Sequence, residues 1–449
     1  MAAPPTSTRE SGADAVTPTR ARLHVVALVC TLSMVLYLDR VVMGQAVVPI
    51  QEEFGLDNTS ISYVLNAFVL AYGLFEIPTG RWGDRFGSRR IMGRIVLWWS
   101  AFTMLTAACT GLWSLLVVRF LFGAGEAGAY PNVARIIGRW FPPAERGRVQ
   151  GLLLASAMAG SVLAPVLSGY LMTAFGWRSA FIVFGCLGIA WALWFLAWFR
   201  DDPAEHPGVN AAELALLRAG AAPGADGATH APIPWAAAAA NRTIWLLGLI
   251  SLAGSFCTYM YMGWFPKYLQ AGRGLTPIEA GWGSSLALSG SMLGCLAGGA
   301  LADRIARTRH PQRVRRMVFL ATGVAAAILL LIGVACTDNR IAIPVIGLSC
   351  FCTMLHIPTW WNCIREISGR HQGAVFGLLN MCGMPGAIIS QYLFGAIADW
   401  RGRLGHSGHD QWGTAFGIYA AVLVVMGAAW LLVDTSRTVD DAADPVTSA

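Results

Sequence analysis

The chain has 449 residues, 55% of them hydrophobic and 13% charged, with a mean hydropathy of +0.54; soluble domains carry about 25% charged residues, so a water-soluble globular body is excluded. The net charge of +7 comes from arginine, Lys267 being the single lysine, and these arginines sit in short turns between apolar runs, a topology signal rather than a nucleic-acid footprint. The ten cysteines have neither metal-ligand spacing nor the pattern of a disulfide framework, and Cys350 and Cys352, inside an apolar run, read as packing residues.

In chain order, residues 1–22 are polar and lack the apolar core of a signal peptide, which predicts a disordered cytoplasmic tail. A bilayer core takes about 20 apolar residues per helix. Six such spans follow, at 23–48, 61–80, 92–110, 113–137, 148–171 and 179–199. Residues 200–242 contain "DDPAEHPGVNAAE" and a Pro/Gly/Ala-rich run, the composition of a cytoplasmic linker with a short surface helix. Six more spans follow, at 243–268, 280–302, 316–335, 341–364, 372–396 and 412–433, and 434–449 form a second cytoplasmic tail. The predicted fold class is an all-α integral membrane protein, with twelve transmembrane helices in two pseudo-symmetric halves, 23–199 and 243–433.

An even number of spans puts both termini on one side. Arg81, Arg85, Arg89, Arg90 and Arg94 cluster between spans 2 and 3, and Arg304, Arg307, Arg309, Arg313, Arg315 and Arg316 between spans 8 and 9. The opposite connections, such as "QEEFGLDNTS" and "ACTGLW", are acidic or uncharged. The positive-inside rule then places both termini in the cytoplasm, in a bacterial inner membrane to judge from the arginine- and alanine-heavy usage. The arginine clusters also face the inner leaflet, so membrane lipid is an expected partner. The halves echo each other. "GRWGDRFGSRR" from Gly80 and "GGALADRIARTR" from Gly298 occupy corresponding turns, each with small residues followed by Asp-Arg. Paired repeats around a midplane site are a transporter architecture.

"GRWGDRFGSRR" resembles the signature loop of the major facilitator superfamily. "YLDR", "YGLFEIPTGRWGDRFGSRR", "RFLFGAGEAGAYP" and "FGLLNMCGMPGAI" together look like its anion:cation symporter branch, which includes sugar-acid and other organic-anion transporters. The resemblance runs from about Leu23 through nearly the whole chain. It implies conformational-gating roles for Gly80, Asp84, Arg85, Gly87, Arg89 and Arg90, echoed by Asp303 and Arg304. Here glycines allow close helix approach, and Asp84 can cap or pair across the interface between halves.

Ionisable groups at membrane depth are costly and are functional candidates by default. Asp39 and Arg40 lie in span 1, Arg119 and Glu126 in span 4, Glu76 in span 2. Counted from the opposite face, Asp39 and Glu126 fall at similar depths, ~18 and ~20 Å. Arg119 and Glu126 are two turns apart on one helix face. A static role in holding helices together is the simplest alternative, but buried ion pairs are weak stabilisers. Asp39 and Glu126 are therefore expected to carry protons, because a low dielectric disfavours the carboxylate. Arg40 and Arg119 are expected to bind an anion, since a guanidinium keeps its charge when buried and grips a carboxylate with two hydrogen bonds. Adjacent helical residues point about 100° apart, so Asp39 and Arg40 face different surroundings. The resemblance links the first-span arginine to substrate and the carboxylates to protons. Glu76 stands where the family more often has glutamine, as an extra proton or selectivity site or a protonated, hydrogen-bonded acid.

Tyr37, Tyr72, Trp361 and Asn380 match polar or aromatic binding positions in the resembled family, whereas Trp264, near an outer helix end, reads as membrane-interface belt and His356 as a packed, hydrogen-bonded residue. Span 5 reads "LLLASAMAGS" where sugar-acid carriers have polar residues, which favours a less polar carboxylate. No Walker A, HExxH or GxSxG motif occurs, so neither an enzyme nor an ATP-driven pump is expected, and no cofactor. The expected function is proton-coupled uptake of an organic anion, a sugar acid or an aromatic or short-chain acid, by a monomer working through alternating access. The alternatives are a proton-coupled exporter of the same superfamily and a non-transporting membrane sensor.

Overall fold

The computed structural model describes residues 17–218, 235–436 and 438–439, without the side chains of Ile77, Arg81, Asp84, Ala236, Ala237 and Arg370. The described residues form helices joined by short turns. The first half comprises α1 (Ala21–Phe54), α2 (Asn58–Phe86), α3 (Ser88–Thr106), α4 (Leu112–Trp140), α5 (Pro143–Phe175) and α6 (Trp177–Trp198). The second comprises α7 (Arg242–Gly263), α8 (Pro277–Ala306), α9 (Pro311–Ala335), α10 (Asn339–Ser368), α11 (Gln372–Arg403) and α12 (Gly413–Leu432). Ten of these are long and apolar enough to cross a membrane among the described residues; α2 and α3, whose facing ends carry the arginine-rich turn, complete the twelve.

The pairing of helices is the same in each half. α1 packs on α5 as α7 does on α11, α2 on α4 as α8 on α10, and α3 on α6 as α9 on α12. Two long seams join the halves, α5 against α8 and α2 against α11. Lipid supplies no hydrophobic drive between helices, so close van der Waals approach has to do so, and small residues permit it. A Cβ on Gly169 would stand 2.7 Å from the Pro277 carbonyl oxygen, and one on Gly281 2.6 Å from that of Pro165. These glycines are what let α5 and α8 touch backbone to backbone.

The sequence predicts α4 and α10 as unbroken spans; both are interrupted. α4 stops at Glu126, passes through Ala127 in an extended conformation and Gly128 at φ 84°, and restarts at Ala129. α10 is interrupted between Met354 and Ile357. Glycine in "GAGEAGAYP" supplies the positive φ that an L side chain resists, and a hydropathy window averages over such a break. Each signature turn packs on the second segment of its broken helix. Gly80 lies against Pro131, Gly83 against Asn132, and Gly298 against Pro358 and the Leu355 carbonyl.

The halves are tied at the end opposite the termini. Asp399, at the end of α11, accepts from the backbone N–H groups of Asn58 (3.1 Å) and Thr59 (2.7 Å) and from both their side chains, at 2.6 Å each. An acid from one half thus caps the first turn of α2 in the other. Lys267 is buried beside this clasp and donates to the side-chain oxygens of Gln51 and Asn58. At the terminal end, the predicted linker helix is Ala211–Arg218. Its buried Glu213 accepts from the Ala21 and Arg22 N–H groups at the start of α1, so this part of the linker belongs to the first half. The Pro/Gly/Ala-rich run at 219–234 lies outside the described residues, as do most of the two predicted tails.

Candidate functional site

α1 is long and buried along most of its length, and near its middle the chain spends two adjacent residues on opposite tasks. Arg40 points into the space between the halves. Its guanidinium pairs with Glu126 Oε1, donating a hydrogen bond from Nε, while Nη2 makes an ionic contact without a hydrogen bond. It also lies over the rings of Tyr72 (4.7 Å), Tyr37 and Phe68 (both 5.4 Å). Three aromatic faces hold the cation in place while their quadrupoles favour its charge. Glu126 is fully buried, and its Oε2 has no hydrogen-bond partner. It occupies the last residue before the break in α4, so its position is set by a helix end and not by a helix interior.

Asp39 points the other way. It is 1% exposed, neither carboxyl oxygen has a hydrogen-bond partner, and Trp99 and Thr103 of α3 adjoin it inside the first half. The two residues of "LDR" are thus separated as the helical turn requires: Arg40 in the cavity, Asp39 behind it. Arg119, one face of α4 with Glu126, lies between them. It stacks on Phe122 at 4.4 Å and Phe68 at 5.3 Å, and its Nε has no partner.

Arg40 and Arg119 line one cavity of ≈ 90 Å³ together with Tyr37, Phe68 and Gly44 from the first half and Thr258, Tyr259, Met262, Gly263 and Gln391 from the second. Tyr72 reaches it through Arg40. Glu76, one turn beyond Tyr72, is half-buried and within electrostatic reach of Arg40. A Cβ on Gly44 would meet the Met262 carbonyl oxygen at 2.1 Å, so α1 and the end of α7 touch directly above the cavity, on the tied side.

Other predicted residues fall elsewhere. Asn380 is exposed and lies eleven residues, three turns or ~16 Å, from Gln391 along α11; Trp361 is 42% exposed and stacks on Phe376. Neither lines the cavity. Gly87 has φ 83°, and Arg89 takes an N-cap bond from its N–H to Asp201 (3.0 Å) and binds the Leu196 carbonyl, all within the first half. Arg85, Arg90, Asp303 and Arg304 are exposed at the terminal end. The Asp84 side chain lies outside the described residues. Trp264 is not in a membrane-interface belt. It is fully buried, donates to the Gln391 carbonyl at 3.1 Å and packs on Phe394 and Trp412; α7 ends inside the protein there, because the chain continues as Phe265–Lys267. His356 is buried and its Nδ1 lies 2.7 Å from the Thr353 carbonyl.

Sequence reading missed Phe68, Thr258, Tyr259 and Gln391 as lining residues. Gln391 had a usable signal, an amide at membrane depth in "IISQYLFG". Phe68 had none, since an aromatic in an apolar helix looks the same whether it faces lipid or a cation.

Two six-helix repeats in a membrane, with a charged cavity where they meet, are the architecture of a membrane transporter and not of an enzyme. The chain belongs to the Major Facilitator Superfamily, whose sequence pattern matches residues 29–391. It is 29% identical over 428 residues to the probable sulfoacetate transporter SauU of Cupriavidus necator, covering 94% of this chain and 96% of that one. It is 28% identical over 402 residues to the probable galactarate/D-glucarate transporter GudP of Bacillus subtilis, covering 86% and 87%. In fold it is similar to a bacterial homologue of the human lysosomal transporter Spinster in an inward-facing, unoccupied conformation. The TM-score is 0.77 at 18% identity, over 95% of this chain and 99% of that one.

Proposed function

We propose that this protein carries a small organic anion into the cell together with a proton, by alternating access. The observation that carries the reading is the Arg40–Glu126 pair: a buried cation in the cavity between the halves, whose counter-anion can be neutralised by one proton. While Glu126 is ionised it occupies Arg40. Protonation of Glu126 releases the guanidinium, which then takes a carboxylate or sulfonate of the substrate through two hydrogen bonds. Arg119, with an unused Nε in the same cavity, is the second anion contact. Asp39 holds a proton behind the cavity, and Glu76 adjusts the charge near Arg40. The names of the relatives support an acidic substrate, sulfoacetate for one and galactarate or D-glucarate for another.

The arginine distribution supports cytoplasmic termini. On that reading the clasp around Asp399 is the outer gate. The units that rock are 23–199 and 243–433, joined by the 200–242 linker, with the turn from Gly80 to Arg90 and its echo at Asp303 and Arg304 at the moving cytoplasmic edge.

Proteoliposomes with a pH dye inside test this. Sugar acids, aromatic acids and short carboxylates, including sulfoacetate, are added outside to wild type and to Asp39→Asn and Glu126→Gln. One class of acid is expected to acidify the lumen with wild type alone. Acidification by none, with folded protein, rejects anion–proton symport; equal acidification by the variants rejects the proton roles.

A further inference from the structure

Gln391 brings to the cavity wall an acceptor with nothing to bind, across from the unpartnered donor Nε of Arg119. It is 3% exposed, lines the cavity that holds Arg40 and Arg119, and its Oε1 has no partner. Its orientation is dictated by its neighbours. Nε2 donates to the Tyr259 carbonyl at 3.3 Å. That carbonyl can only accept, so the amide cannot be turned to place Oε1 there. The main chain of the residue is held as well, because its carbonyl accepts from the Trp264 indole. The α7 backbone leaves room for the amide only because residue 263 is glycine: a Cβ there would fall 2.7–2.8 Å from the amide atoms. The second half therefore presents a fixed acceptor, while the first half presents two guanidinium donors. The hydroxyl of Thr258, which also lines the cavity, spends its one proton on the Gly254 carbonyl at 2.9 Å and has no donor left for the acid group.

A buried acceptor left unpaired costs the full desolvation of that group. A ligand bridging this cavity satisfies it with an O–H and is penalised for bringing a second negative charge to it. We propose that Gln391 is a specificity-determining residue that reads a hydroxyl on the substrate, so that the substrate is a small monoanionic hydroxy acid: acid group on Arg40 and Arg119, hydroxyl donated to Gln391 Oε1. This rests on the anion-transport reading above and deepens it. Discrimination follows the rule that a site built to bond a hydroxyl rejects the analogue lacking it far more strongly than an apolar pocket rejects an extra group.

The experiment uses full-length protein in proteoliposomes and matched probes: lactate and 3-hydroxypropionate against propionate, and malonate and sulfoacetate as dianions. Each is assayed by dye acidification and by competition. Wild type is expected to prefer at least one of the two hydroxy acids to propionate by about tenfold or more, and to take the dianions poorly. Gln391→Met, close in size and without an acceptor, is expected to bring the ratio of that hydroxy acid to propionate close to one, whatever its effect on the overall rate. If wild type moves the acids without any preference for the hydroxylated member, or favours the dianions, the proposal is overturned while anion transport stands; the wild-type comparison decides this even if the variant does not fold. A preference unchanged in folded Gln391→Met also overturns it, Oε1 then holding water. If no acid moves or competes at all, it is the anion-transport reading that fails.

Discussion

At the scale of single residues, the site depends on which face of α1 each of two neighbours occupies. Arg40 is held by Glu126 and three rings, and its planar fork fits both a carboxylate and an aromatic face. Lysine keeps the charge but loses both fits. Arg40→Lys is therefore expected to lower uptake of the anion at least about tenfold, measured as initial rate in proteoliposomes. Removing one partner of a buried pair leaves the other charge uncompensated, at about 3–5 kcal/mol, and the substrate anion is the natural replacement. Glu126→Gln should thus continue anion exchange between equal pools. It should lose accumulation driven by a pH gradient, and its exchange rate should vary less with pH than that of wild type. Accumulation that survived in Glu126→Gln would remove Glu126 from the coupling. Most of this was legible in the sequence. Charges in an apolar run are conspicuous, and helical geometry alone separates Asp39 from Arg40. Phe68 and Tyr259 were not legible, because an aromatic ring carries no mark of what it will face.

At the scale of elements, the break in α4 decides where Glu126 stands. Gly128 is at φ 84°, and a Cβ there would lie 2.4 Å from Thr79 Oγ1 and 2.8 Å from its Cβ. Gly128→Ala combines backbone strain with overpacking, each of order 1–3 kcal/mol. We expect a lower unfolding temperature in detergent, and a transport loss larger than the fall in folded protein, because α2 and α4 must separate to admit the methyl group. Gly138→Ala, on the same helix with open space around its Cβ, is the control and should leave both unchanged. The sequence carried the glycines and the proline of "GAGEAGAYP" but not the break: their pattern fits a close helix contact as well as an interruption, and only the packing of α4 on Thr79 selects between them.

At the scale of the whole molecule, the halves are joined by two helix seams and a polar clasp at one end. Asp399→Asn keeps the shape but replaces an acceptor-only carboxylate by an amide whose nitrogen repels the N–H donors of α2. It is expected to weaken that end and shift the population toward the conformer open there. Single cysteines placed near Asn58, in a background without the native ones, should become more reactive to an impermeant maleimide. Unchanged labelling would mean that the seams alone hold the end closed.

The sequence by itself determined the membrane class, the two-fold repeat, the number and order of the twelve helices and the charged residues at depth. Each follows from local rules: apolar length, charge placement and helical period, which do not depend on distant parts of the chain. The tertiary structure alone decided that Arg40 meets Glu126, that Trp264 is core, that Asp399 caps a helix of the other half and that Gln391 has an oxygen to spare. Those facts depend on which helices touch. In a bilayer, where lipid is as apolar as the side chains, contact is set by small residues and paired polar groups whose partners lie hundreds of residues away.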